Sequence, residues 1–93
     1  MAEIGFKPSG EMGKQALEAL EILLSSREQS DILWAGQILE AIAANGAKMD
    51  SSDRSKLHSE LSYQSSLGLG YGNLDELRRK ILNRAFIKLD SIF

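Results

Sequence analysis

Along most of this chain the apolar residues recur every three or four positions, and no pair of segments alternates as paired strands would. That period lines up side chains on one face of a helix, so it commits the chain to an all-α fold. Four segments carry it. The first begins after Pro8 and Ser9 and runs to about Ser25, with Met12, Ala16, Leu20, Leu23 and Leu24 on one face. Glu11, Lys14, Glu18 and Glu21 lie towards the other.

The second segment runs from about Arg27 to Asn45. Ser25 with Glu28, or Ser26 with Gln29, offers it a capping box. Asn45-Gly46 is its stop signal, because glycine reaches left-handed backbone without steric cost. Its expected buried stripe is Ile32, Ala35, Ile38, Leu39, Ile42 and Ala43. The third segment starts near Asp50, with Asp53 where a capping box has Glu, and continues to about Ser66. The fourth starts at Asn73, with Glu76 as capping partner, and carries Leu74, Leu77, Ile81, Ala85, Leu89 and Ile92 in register up to Phe93.

These segments describe one small helical domain over residues 1–93, with an extended arm (1–9) and a glycine-rich connection (67–73). In the arm, Ile4 and Phe6 can point the same way. Short connections make antiparallel neighbours the expectation. A chain of 93 residues buries only about two-thirds of its unfolded surface, so association with a further chain would enlarge a thin core.

The connection SSLGLGYGN holds the one chemical-looking motif, Gly68, Gly70 and Gly72 before a helix. A dinucleotide turn needs a strand before it and a third glycine where Asn73 stands. A phosphate loop needs a Gly-Lys-Ser/Thr ending, which is missing. Asp75 and Glu76 in the following turn would compete for the amides that bind an anion. The stretch is therefore a hinge, in which Leu67, Leu69 and Tyr71 are large for a solvated linker and Leu69 and Tyr71 become candidate contact residues.

Catalytic chemistry finds little support. His58 is the sole histidine, with Arg54 its clearest same-face neighbour, and general acid–base work would need a positioned carboxylate or nucleophile beside it. With no cysteine and no second histidine, thiolate and multi-histidine metal sites are excluded. No catalytic, cofactor-binding or metal-binding residue is expected. Ser52, Ser55, Ser59, Ser62 and Ser66 line one side of the third segment, opposite Leu57 and Leu61, and are expected to be solvated.

The last segment says most about partners. Leu82, Phe86 and Phe93 widen its apolar arc, which places it at the centre of a bundle or at an interface. Along one flank run Lys80, Arg84 and Lys88, with Arg78 and Arg79 close by; residues 74–93 carry five Lys or Arg against three Asp or Glu. Ile22, Leu33 and Ile87 fall off their helices' buried faces, which favours self-association or partner binding. With a net charge of −2 there is no global pull towards nucleic acid or acidic membranes. The opening MAEIGFKPSG lacks a signal peptide's basic start and apolar run, and no window approaches the ~18 apolar residues of a membrane span.

The expectation is a small, non-enzymatic protein–protein interaction protein in the cytoplasm, an adaptor, inhibitor or regulatory subunit, self-associating as a homodimer. Its candidate contact residues are Leu69, Tyr71, Lys80, Arg84, Ile87 and Lys88. The alternative is a helical nucleic-acid-associated regulator using the basic flank of the last helix.

Overall fold

The computed structural model describes residues 4–67 and 70–93. The protein is all-α: α1 (Glu11–Ser25), α2 (Gln29–Ala44), a short 3-10 turn (Gly46–Lys48), α3 (Ser51–Ser66) and α4 (Asn73–Asp90), with no strand among the described residues. Helices α1 and α2 pair as a hairpin across residues 26–28. In the second hairpin His58 of α3 reaches Asp90 of α4, while Ser65 lies beside Lys80, so these two helices are antiparallel.

The hairpins join through α2 and α4, which no short connection links and which run parallel, as alternating directions of successive helices require. Gly36 abuts Ile81, Glu40 faces Arg84 and Lys88, and Gly46 abuts Leu89 and Ile92. Positions therefore advance in the same direction along both helices. The passage from α2 to α3 crosses the bundle and places α3 against α4, leaving α4 between two neighbours. A Cβ on Gly36 would lie only 2.7 Å from Ile81 Cδ1, so the absence of a side chain lets the two helices approach.

Among the described residues, seventeen apolar ones form the core, including Leu20 and Leu23 of α1, Ile32, Leu39 and Ala43 of α2, Leu57 and Leu61 of α3, and Ile81, Leu82, Ala85 and Leu89 of α4. Helical periodicity located these stripes, with Met12, Leu24, Ile38, Leu74, Leu77 and Ile92 only partly buried at their edges. The wide arc of α4 has its cause here: Ile81 meets α2, while Phe86 stacks on His58 of α3. A helix packed on two sides needs apolar residues over half its circumference, so the arc's width is used within the bundle. Ile22, expected to be exposed, is half-buried against the core.

Helix ends depart from their expected caps. Helix α2 starts at Gln29, not Arg27, and no side chain caps it. Ser26 instead accepts from the Glu28 amide at 3.1 Å and donates to Asp31 at 3.1 Å, a local turn that competes with helix. No glycine among the described residues has positive φ. Helix α2 closes through Asn45, whose side-chain amide donates to the Ala41 carbonyl at 2.8 Å. Gly46 then enters the 3-10 turn, where a Cβ would lie 2.5 Å from Leu89 Cδ1. Helix α4 is preceded by Gly72 without a side-chain cap and ends at Asp90, short of Phe93. At α3 the expected Asp50 cap forms, accepting from the Ser52 amide at 3.1 Å.

Asp53 does not join that cap. It is buried, as are Glu60 and Gln64 on the same face of α3, and the N-terminal arm runs over them. Asp53 accepts from the backbone amides of Ser9 at 3.0 Å and Gly10 at 2.7 Å, and Glu60 accepts from that of Gly5 at 3.1 Å. Phe6 is thereby sunk into the core and Ile4 packed on its edge. Gly10 has no side chain to cap α1, and a carboxylate from another helix satisfies the amides of Ser9 and Gly10 just before the helix. The Ser9 and Gly10 amides hold the Asp53 carboxyl below its ordinary value, against the opposing effect of burial.

Candidate interaction surface

With the core assigned, one helix face stands without a covering. Helix α2 buries Ile32, Ala35, Gly36, Leu39, Ile42 and Ala43. On its opposite side Ser30, Leu33, Trp34, Gln37, Ala41 and Ala44 are all exposed and recur at helical spacing, and none is charged. Solvated helix faces ordinarily carry charge, as those of α1 and α4 do here. Leu33 is 45% and Trp34 50% exposed. Trp34 lines a cleft of about 300 Å³ with Gln15, Glu18, Ala19 and Ile38. Trp34 therefore borders α1 on one side and leaves half of its surface to solvent. Such half-exposed aromatics are the residues that dominate binding energy at protein interfaces.

The expected contact residues are spread over other surfaces. Ile87 is 58% exposed on the outer side of α4. Of the basic flank, Arg84 and Lys88 each lie 3.8 Å from Glu40 of α2, so one carboxylate serves both, while Lys80 is exposed. Surface pairs at that distance contribute little to stability, yet they reduce the positive field that the flank offers. Arg78 is held inside the fold: it donates to the carbonyls of Leu23, at 2.9 Å, and Ser26, and pairs with Asp75 at 2.6 Å. Arg79 donates to the Gly70 carbonyl across the connection. Tyr71 is 99% exposed. Leu69 lies outside the described residues.

His58 sits in a small aromatic cluster. Its ring stacks on Phe86 at 4.9 Å and meets Phe93 at 4.4 Å, and its Nε2 is 2.8 Å from Asp90. Arg54 lies over the outer side of Phe93, 5.9 Å from its centroid. The cluster fastens the chain beyond α4 to α3. The serine stripe of α3 is exposed throughout.

Among the described residues no group of three or more His, Cys, Asp or Glu is placed to hold a metal ion, and no helix is long and apolar enough to cross a membrane. No family model, curated protein or solved structure matches the chain.

Trp34 is the functional candidate that sequence reasoning missed. Its neighbours at i−4, i−1, i+3 and i+7 (Ser30, Leu33, Gln37 and Ala41) are all uncharged. That neutral run was a usable signal, masked by the stronger apolar stripe on the buried side of the same helix.

Proposed function

We propose that this chain is a small non-enzymatic interaction protein, an adaptor, inhibitor or regulatory subunit, that works through the outer face of α2. The carrying observation is an uncharged helix face bearing Trp34 and Leu33, half-exposed, on a rigid helix of the core. Aromatic anchors with small neutral neighbours suit the desolvated centre of an interface. Self-association belongs to the same reading, as does a cytoplasmic setting, with which a cysteine-free chain is compatible.

The test is Trp34→Ala alongside the wild type. Trp34 is half-exposed, so the variant keeps its helical content while association with its partner falls at least tenfold. Undiminished association would rule this face out as the contact.

A second reading keeps the basic flank. Lys80, Arg84 and Lys88 are exposed along one side of α4, and such a row suits a phosphate backbone. On that reading RNA or DNA binding weakens steeply with salt, and Lys80→Ala weakens it further. Binding that is indifferent to salt would dismiss it.

A further inference from the structure

The face of α2 is not only neutral; its large and small residues are segregated. Ser30, Leu33 and Trp34 occupy the first half of the helix, Ala41 and Ala44 the second, and Gln37 the middle. Large at one end and small at the other is the pattern that fits its own reverse. Resting on the reading of this face as a contact surface, we infer that its occupant is a second copy of this chain, with the two α2 helices packed antiparallel about a twofold axis at Gln37.

A twofold of this kind places residue 37−n of one copy opposite residue 37+n of the other. It also brings equivalent flanks of the two helices to the same side. Trp34 and Ala41 share a flank, as do Leu33 and Ala44, at the 100° per residue of an α-helix. Each indole then lies over Ala41 of the second copy, and each Leu33 falls between its Ala44 and its Glu40. The alanines leave the room that the two large side chains fill, which is how facing positions interdigitate at native packing density.

The polar groups agree with this arrangement. Gln37 meets Gln37 on the axis, and a primary amide both donates and accepts, so the pair satisfies itself. The one carboxylate at the edge of the contact, Glu40 beside Leu33, is half-buried and already paired with Arg84 and Lys88 of its own chain. At each end the exposed acids Glu28 and Asp31 approach the exposed Lys48 that follows the partner helix, so the ends attract. The N-terminus of each helix also lies beside the C-terminus of the other, with opposed dipoles.

The contact is short. Sixteen residues span about 24 Å at 1.5 Å per residue, which places the interface in the small, transient class. The expected assembly is a reversible dimer that forms and dissociates over a micromolar range.

Because the chain has no cysteine, a single Gln37→Cys substitution gives a clean probe, with Tyr63→Cys on the exposed side of α3 as the control. Under mild oxidation the first should form a disulfide-linked dimer at least tenfold faster than the second. In light scattering the wild type should move from monomer to dimer mass with concentration. Ala41→Arg, which places a charge under the indole, should hold it at monomer mass with an unchanged melting temperature.

A dimer that survives Ala41→Arg, with Gln37→Cys cross-linking no faster than the control, overturns the inference, since another face would then associate. A wild-type chain that stays monomeric up to hundreds of micromolar also overturns it. In that case, loss of a different partner's binding in Trp34→Ala would leave the contact-surface reading standing, and unaltered binding would remove both.

Discussion

The carboxylate of Asp53, on the first turn of α3, accepts a 2.7 Å hydrogen bond from the backbone amide of Gly10, 43 residues earlier. One side chain thereby holds the end of the N-terminal arm, where it enters α1, against α3. Gly13 completes the arrangement: a Cβ there would lie 2.7 Å from the same carboxylate and 2.5 Å from Pro8 Cβ. The arm is held by the requirement of buried backbone amides for acceptors, and Phe6 is buried as a result.

Asp53→Asn should therefore destabilise the protein by about 1.5–3 kcal/mol, the range for hydrogen bonds to a charged group. The wild type carries a matching pH dependence. The Asp53 pKa is depressed in the folded protein below its ordinary 3.8, so its contribution is fully present above that value and is lost as pH falls through the lower, folded value. Urea melts at successive pH values below about 5 should show wild-type stability falling towards that of Asp53→Asn. Parallel pH profiles for the two proteins would contradict the bond's role.

Ile81 is 2% exposed and packs against Gly36 of α2. Ile81→Ala should cost about 2–5 kcal/mol. Gly36→Ala alone should also destabilise, by about 1–3 kcal/mol through overpacking, because three Ile81 side-chain atoms lie within 3.3 Å of the added methyl. In the Ile81→Ala background the same change meets no such atoms and should be neutral or stabilising. A double-mutant cycle in denaturant measures the coupling; additive effects would show that the helices do not meet there.

The apolar stripes of all four helices were legible because burial of one helix face imposes its period on the residues that make it. The buried acids of α3 were not. Asp53, Glu60 and Gln64 share the face of Leu57 and Leu61, but Asp53 reads as part of a cap and nothing in the sequence marks Glu60 and Gln64 as buried. Their partners are backbone amides of a distant arm, which no local pattern encodes. The arc of α4 was legible in extent and ambiguous in meaning, since a second neighbouring helix and a second copy call for the same residues. Parallel packing of α2 on α4 decided for the neighbour. The glycines of α2's end and of the connection suggested backbone freedom. Gly46 instead makes room for Leu89.

Tyr71, at 99% exposure, touches little that could stabilise the fold. Tyr71→Ala should change stability by no more than about 0.5 kcal/mol, as surface changes do. Nucleotides such as ATP or NAD should leave the melting temperature unchanged, since only a ligand that binds the folded state raises it. A rise of several degrees with either would restore a phosphate site at this connection.

The most direct test of the contact face uses the chain's single tryptophan as its own reporter. Trp34 is half-exposed in the isolated chain and lies at the centre of the contact in the assembled one. Its fluorescence emission should be recorded on dilution from hundreds of micromolar to below one micromolar. The expected result is a maximum that moves to longer wavelength as the indole returns to water, and no such movement for Ala41→Arg. An emission maximum that stays at the solvent-exposed position at every concentration in both proteins would contradict it.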